Sequence, residues 1–354
     1  MTLRDLLRVL GSSDRRDGRN LTTDEAFEGF QRILEGVESE IQIAAFLTAL
    51  RWKGVTVEEL TGFARAARAK AQLPCSGMSG LVCVCPPQDG HDRFPPLELA
   101  AAFVAAGAGA RVLLVVDRCV PPRRGVTAAC ALTHLGAPVA WDASTAEEQV
   151  ERVGFGAVAA SGILPAWLSL RRVRGEVGVR TPLSTVEKLV APESAALVIG
   201  AQHGPVLGVA VETMAGLGHP KGIAIQGIDG GVMPTLKKRT RGIELTGKHQ
   251  VPLTVEPSDF GLQSAEDPEL PMYGPPEDGK GTGDNPFLVR ASGEMVEAVI
   301  KGETGLGRNA TLLGSAVILK AVGRAPTLAE GVDLAVKSLE SGAAAGVLAR
   351  LREL

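Results

Sequence analysis

The stretch Leu81–Gly125, LVCVCPPQDGHDRFPPLELAAAFVAAGAGARVLLVVDRCVPPRRG, decides the fold class of this chain. Leu81–Cys85 is a short apolar run that ends at two prolines, and Val112–Val116 is a second apolar run. Continuous apolar runs of this length predict strands buried on both faces of a parallel sheet. Between them the nearly uncharged Leu97–Ala106 predicts a crossover helix that ends at Gly107. The pattern predicts a right-handed βαβ unit and therefore an α/β fold with a central, mostly parallel sheet.

Two loops follow the predicted strands, Pro86–Pro95 and Asp117–Val126. Ligands of open α/β sheets bind outside the carboxyl ends of the strands. We therefore expect both loops to belong to the functional site.

Composition bounds the class of protein. A length of 354 residues predicts two domains, on a prior of roughly 150 residues per domain. A net charge of −3 argues against a globally basic nucleic-acid binder but leaves local basic patches open. Five scattered cysteines predict no disulfide framework. The charged start MTLRDLLRVLG does not resemble a signal peptide, and no apolar run approaches the roughly 20 residues of a membrane span. We expect a cytoplasmic protein with no membrane partner.

Residues 1–72 predict a helical domain. Three successive capping boxes, Thr22-x-x-Glu25, Ser39-x-x-Gln42 and Thr56-x-x-Glu59, each precede a run of apolar residues at helical spacing. A fourth, Thr327-x-x-Glu330, lies near the end of the chain. Residues 73–80 read as a linker to the α/β domain.

The second of these helices is apolar in nearly every direction. From Ile41 to Leu50 only Gln42 and Thr48 are polar. Two apolar stripes follow: Ile43, Phe46, Leu47 and Leu50 form one, and Ile41, Ala45 and Trp52 form the other. A small bundle cannot bury two faces of one helix, so the second stripe is predicted to meet another domain or subunit. The alternative is a wholly internal central helix.

Four stretches together resemble the anthranilate phosphoribosyltransferase family. They are Gln42–Gly54, Ala101–Gly107, Val173–Thr181 and Gly331–Leu351. The resemblance covers almost the whole chain. It implies a helical domain, 1–72, completed by an insertion near 166–192, with residues 73–165 and 193–354 forming the α/β domain. It also implies a homodimer through the helical domain.

The motifs that bind substrate in this family are altered here. Where the family has Gly-Thr-Gly-Gly-Asp, this chain reads Cys85-Pro86-Pro87-Gln88-Asp89, so only Asp89-Gly90 is retained. Two prolines remove two backbone donors, and a glycine-type anion cradle cannot form. The family's acidic metal pair falls on Val232-Met233, which are not magnesium ligands. We expect no catalytic residues, metal site or cofactor, with magnesium needed only if transferase activity is retained.

Two further family motifs are also replaced. Phe94–Leu97 stands in place of Asn-x-Ser-Thr, and Val116–Gly125 replaces the Lys-His-Gly-Asn-Arg stretch. Four residues are interpreted as remnants of the substrate site: Asp89, Gly90, His91 and Arg174, the last matching the family contact to the anthranilate carboxylate.

Positive charge has taken the place of the lost motifs. The resemblance places three basic segments along the interdomain cleft, and no acids are expected to match them. Their cations are Arg118, Arg123, Arg124, Arg171, Arg172, Arg174, Lys237, Lys238, Arg239 and Arg241. Such a cluster indicates an anionic polymer or a large phosphate ligand. The alternatives are salt bridges between domains for residues 171–174, and for residues 237–241 a solvated loop paired with the acidic segment 256–284.

The leading hypothesis is a family member that has lost phosphoribosyl transfer and binds single-stranded nucleic acid, or another polyanion, in this basic cleft. Sequence preference should be weak, because three tryptophans and one tyrosine offer no evident stacking platform. One alternative is an active phosphoribosyl or glycosyl transferase with a rebuilt phosphate site. The other is a regulatory or scaffolding homodimer. Whether the protein is an enzyme is left open at this point.

Overall fold

A computed structural model describes residues 1–11, 18–202, 204–274, 277 and 279–354. The described chain has an N-terminal helical domain and a larger α/β domain, as predicted. The helical domain contains α1 (Leu3–Leu10), α2 (Thr23–Leu34), α3 (Glu40–Lys53) and α4 (Val57–Lys70).

The α/β domain is built on one sheet. Its strands are β1 (Leu81–Cys85), β2 (Arg111–Val116), β3 (Phe155–Ala159), β4 (Ala196–Gly200), β5 (Lys221–Ile225), β6 (Thr240–Thr246) and β7 (His249–Val255). Its longer helices are α5 (Glu98–Gly107), α6 (Ala128–His134), α7 (Ala143–Val153), α12 (Gly204–Gly216), α13 (Pro286–Ile300), α14 (Leu306–Val322), α15 (Leu328–Glu340) and α16 (Ala343–Leu351). Between β3 and β4 lie the short helices α8 (Ala160–Ile163), α9 (Ala166–Ser169), α10 (Arg171–Val177) and α11 (Leu183–Val186).

The strand order is β3-β2-β1-β4-β5-β6-β7, with β1 to β5 parallel and β6–β7 an antiparallel hairpin. The predicted β1–α5–β2 unit is confirmed, and β1 is buried along its whole length. Because Ile225 pairs with Gly242, the chain enters β6 at the edge where β5 ends. The segment before β6 therefore lies at the carboxyl edge of the parallel strands.

All four predicted capping boxes form. Thr22, Ser39, Thr56 and Thr327 each accept a hydrogen bond from the backbone N–H three residues later, and the side chain at that position bonds back. A side-chain cap of this kind contributes about 1 kcal/mol.

Helix α3 buries one stripe and exposes the other. Ile43, Phe46, Leu47 and Leu50 are buried, whereas Ile41 is 82% and Trp52 86% exposed. The alternative of a wholly internal helix is therefore wrong for the single chain. The second apolar face is free to meet a partner.

Two apolar clusters lie on the two faces of the sheet. One packs α5, α13, α14, α15 and α16 against one face. The other joins the opposite face to the helical domain and to the segment between β3 and β4. Within that segment α10 packs on α3 and α11 on α4, so residues after β3 bridge the two domains.

The acidic segment 256–284 has no helix or strand in its described part beyond two short 3-10 turns, Pro257–Phe260 and Thr282–Asp284. Residues 275, 276 and 278 of this segment lie outside the described residues. The segment packs along the carboxyl edge, where Leu270 N donates to Arg93 O and Gly283 N donates to Arg124 O. It therefore borders both loops predicted to form the site.

Candidate functional site

The loops after the parallel strands meet at one edge of the sheet, as the sequence predicts. Asp89 follows β1, Asp117 and Arg123 follow β2, and Asp229 follows β5. At this edge the charged side chains form ion pairs with one another.

The loop after β1 is closed by an arginine from the bridging segment. Pro86, Pro87 and Asp89 are all buried. Arg180 donates two hydrogen bonds of 2.8 Å to the two carboxylate oxygens of Asp89. Gly90 has a φ of +70°, and a Cβ there would come within 2.6 Å of the Gly125 carbonyl carbon. The retained Asp89-Gly90 pair thus holds the loop together.

In the turn after β5, the Asp229 carboxylate is likewise engaged by neighbouring side chains. Arg123 donates to the Asp229 carboxylate, and His91 Nδ1 lies 3.4 Å from Asp229 Oδ2. Burial alone would raise the pKa of Asp229, but the hydrogen bonds from His91 and Arg123 hold that pKa well below its usual range. Asp229 is therefore an anion neutralised by neighbours within the chain.

Two arginines of α10 also have acidic partners. Arg171 Nη2 lies 2.7 Å from Asp117 Oδ1, in the loop after β2. Arg174 is buried, donates to both oxygens of Glu187, and places its Nε 2.7 Å from the Pro121 carbonyl oxygen. Arg174 faces the protein interior, so the geometry argues against its predicted contact with a ligand carboxylate.

The expectation that no acids match the ten cations is wrong. Besides the pairs above, Arg172 lies near Glu176 and Glu40, and Arg239 lies 3.2 Å from Glu256 of the acidic segment. Arg172 and Glu176 are neighbours four residues apart on α10. The pair of Arg239 with Glu256 supports, for that residue, the predicted alternative of pairing with the acidic segment. Of the ten cations, five form no salt bridge among the described residues: Arg118, Arg124, Lys237, Lys238 and Arg241. We call these five residues the edge cations. Arg124 nevertheless interacts electrostatically with the Asp284 carboxylate.

The edge cations lie on two segments of the same sheet edge. Arg118 and Arg124 follow β2, while Lys237, Lys238 and Arg241 surround the start of β6. Strands β2 and β6 are four positions apart in the sheet, which corresponds to about 19 Å at the usual strand spacing. The two segments are therefore separated along the edge and do not converge on one small ligand.

Beside Arg124 lies a groove of about 380 Å³. Its lining includes Arg171, Arg172 and Lys280 as well as Glu176. The structure therefore brings together two of the three basic segments, but not the third.

The residues at the former metal turn do not fit magnesium. Val232 and Met233 are buried and apolar, and Asp229 is already neutralised by Arg123. Among the described residues no group of three His, Cys, Asp or Glu side chains could hold a metal ion. Magnesium prefers oxygen ligands in octahedral geometry, and none is arranged here.

A cavity of about 570 Å³ opens between the two domains beside the Asp89–Arg180 pair. Its lining includes Lys188, whose buried Nζ donates to the Gly200 carbonyl oxygen at 2.9 Å. Burial, reinforced by repulsion from Arg180, lowers the pKa of Lys188 to about 8. A volume of this size falls within the range of small-molecule sites.

Arg180, Asp229 and Lys188 were not predicted as site residues. Arg180 lies within one of the stretches that resemble the family and Asp229 lies just before Val232-Met233, but their roles depend on partners 91 and 106 residues away. Lys188 had no sequence signal, since only its burial in the cavity distinguishes it.

Comparison with models of protein families identifies the family of both domains. The helical bundle domain of the glycosyl transferase family matches residues 14–71, and the α/β domain of the same family matches residues 92–345. The chain belongs to this glycosyl transferase family. Within it, the chain groups with the anthranilate phosphoribosyltransferases, as the resemblance predicted.

Two curated relatives illustrate this. The anthranilate phosphoribosyltransferase of Solibacter usitatus is 33% identical over 92% of this chain and 92% of its own length. That of Anaeromyxobacter dehalogenans is 33% identical, with 95% of both chains covered.

Solved structures give the same fold. The anthranilate phosphoribosyltransferase of Thermus thermophilus has a TM-score of 0.78 and 28% identity, over 95% of this chain and 96% of its own. The Saccharomyces cerevisiae enzyme in complex with PRPP and Mg has a TM-score of 0.79 over 99% of this chain and 97% of its own. Its identity of 18% supports the fold alone.

No helix in the described ranges is both long and apolar enough to cross a bilayer.

Proposed function

We propose that this protein no longer transfers phosphoribose and instead binds an extended polyanion, single-stranded nucleic acid, along the carboxyl edge of its sheet. The proposal rests on the state of the charged side chains at that edge. In the loops after β1 and β5 the carboxylates of Asp89 and Asp229 are held in internal ion pairs, while the five exposed or half-buried edge cations form no salt bridge among the described residues.

The spacing of the edge cations favours a polymer over a small ligand. Two clusters about 19 Å apart along a sheet edge match a backbone that carries charge at regular intervals. Several neighbouring acids already have partners within the chain. Glu256 pairs with Arg239, Glu269 with Arg93, and Asp267 accepts from Thr235 and the Leu236 N–H.

Binding should be driven by counterion release. Replacing Lys237 and Lys238 together by glutamate is expected to weaken binding to every single strand alike. If each lysine neutralises one phosphate, the slope of log affinity against log salt should flatten by about 1.4. Fluorescence anisotropy with a labelled single strand at several salt concentrations measures both quantities.

Two exposed lysines outside the two edge segments supply a control. Lys248 is exposed in the β6–β7 turn, at the opposite edge of the sheet, and Lys301 follows the far end of α13. Replacing Lys248 and Lys301 by glutamate changes net charge equally but should leave affinity and salt slope unchanged. Equal effects of the two double variants, or no binding by wild type at low salt, would refute the proposal.

A second candidate is a transferase that uses a rebuilt site, as the names of the curated relatives suggest. The cavity between the two domains supports it, because three cations, Arg51, Arg180 and Lys188, line a volume suited to a small substrate. The closed loops after β1 and β5 weigh against it.

We further propose a homodimer formed through the exposed face of α3. Replacing Ile41 and Trp52 by glutamate should yield a monomer, because both side chains project into solvent in the single chain. Val251→Glu, at an exposed apolar position on β7, is the control and should leave the mass unchanged. Light scattering measures the mass, and a wild-type protein that is monomeric at tens of micromolar would exclude this dimer.

We place the protein in the cytoplasm. Its five cysteines are free thiols and four of them are buried, which suits a reducing compartment.

A further inference from the structure

An exposed aromatic pair lies beside the loop after β2. Tyr273 is 62% and Phe287 41% exposed, yet their rings stack with centroids 6.1 Å apart and an angle of 29° between planes. The neighbouring Met272 is fully exposed. The pair was not predicted, because the expectation of no stacking platform rested on tryptophan and tyrosine alone and left out Phe287.

A cation accompanies the pair. The Arg290 guanidinium carbon lies 5.5 Å from the centre of the Phe287 ring, and Arg290 Nε is 3.8 Å from the Glu294 carboxylate. The Arg290 and Glu294 side chains are both more than half exposed. A surface ion pair of this length contributes little, so the guanidinium can also interact with a ligand.

The aromatic pair is tied to the edge cations through the backbone. Gly283 N donates to the Arg124 carbonyl oxygen at 2.9 Å, and Asp284 Oδ1 accepts from Cys119 Sγ at 2.9 Å. Phe287 follows Gly283 by four residues, so at most about 15 Å of chain separates it from that anchor. Leu288, the residue after Phe287, belongs to a small buried cluster with Leu270 and with Val126 of the same loop.

This arrangement of two rings and a guanidinium is suited to the flat faces of unpaired bases. Two exposed aromatic rings present flat faces on which any base can stack, and a guanidinium adds a cation–π contribution. Duplex nucleic acid keeps its bases stacked on each other, so only an unpaired strand can use such rings.

We propose that Tyr273, Phe287 and Arg290 form a stacking platform for unpaired bases of a single strand whose phosphates contact Arg118 and Arg124. The inference rests on the proposed function and specifies its partner. It makes binding depend on bases as well as on phosphates.

The test compares a labelled oligo-dA strand with an abasic strand of the same length. The double variant Tyr273→Leu, Phe287→Leu should lose about 5- to 150-fold in affinity for oligo-dA per stacked base. It should bind the abasic strand as wild type does, with an unchanged salt slope. Met272→Ala, in the same exposed segment but without a ring, is the matched control and should change neither affinity.

A second readout does not depend on a variant that folds. The chain contains one tyrosine, so incorporation of 3-fluorotyrosine gives a single ¹⁹F resonance at position 273. Oligo-dA should shift this resonance and the abasic strand should leave it in place.

The outcomes separate the two proposals. If the double variant binds oligo-dA as well as wild type does, or if the ¹⁹F signal is unmoved, the platform is refuted while nucleic-acid binding stands. If wild type binds neither strand at low salt, both proposals fail.

Discussion

Supplied with anthranilate, phosphoribosyl pyrophosphate and magnesium, the protein is expected to form phosphoribosyl-anthranilate at a turnover at least about 10⁴-fold below that of an active relative. Loss of a single preorganised donor already costs about 10²–10³ in rate. Here Pro86 and Pro87 offer no N–H, and the Asp89 carboxylate is held by Arg180.

The metal-dependent part of the reaction is affected as well. Val232 and Met233 are buried and apolar, so they provide no ligand to neutralise a pyrophosphate leaving group. Asp229 is engaged by Arg123 and His91 and would have to give up both partners first.

The reaction can be followed by the loss of anthranilate fluorescence, with the Thermus thermophilus relative assayed in parallel. A turnover of about 1 per second or more, within the usual range for enzymes, would contradict the expectation and favour the transferase with a rebuilt site. In that event Lys188→Met should abolish the activity, because Lys188 lines the interdomain cavity.

Much of the fold could be predicted because its signals are local. The β1–α5–β2 unit was placed to within a residue or two, since buried parallel strands are continuous apolar runs and Gly107 ends the helix. The capping boxes are also local, each joining residues three apart. Periodicity likewise separated the two stripes of α3, and only the exposure of Trp52 had to come from the structure.

The site resisted prediction because its contacts are not local. Basic residues can be counted in a sequence, but whether each faces solvent or a carboxylate depends on tertiary packing. Arg174 and Arg118 look equivalent as sequence, yet one is buried against Glu187 and the other is exposed. Only the tertiary structure distinguishes the edge cations from the basic residues held in internal ion pairs.

The buried pair of Arg174 and Glu187 leads to the second large effect, on stability. Their side chains are 5% and 3% exposed. Replacing Glu187 by alanine should lower the free energy of unfolding by about 3–5 kcal/mol, because it leaves the Arg174 charge buried without a counter-ion. Glu176→Ala, which removes a partner of the exposed Arg172, is the control and should cost less than about 1 kcal/mol.

Replacing both members of the buried pair tests the cause. If the lost stability comes from burying the Arg174 charge without a counter-ion, the double variant Arg174→Met, Glu187→Met should restore most of that stability. Two apolar side chains carry no desolvation penalty. If the loss instead reflects the hydrogen bond from Arg174 Nε to the Pro121 carbonyl oxygen, the double variant should be the less stable of the two. Urea unfolding followed by tryptophan fluorescence distinguishes these results, because Trp167, unlike the exposed Trp52 and Trp141, is buried on α9. A loss below about 1 kcal/mol in Glu187→Ala would mean that water or a rearranged side chain neutralises Arg174, and that this part of the interdomain contact is less rigid than its burial implies.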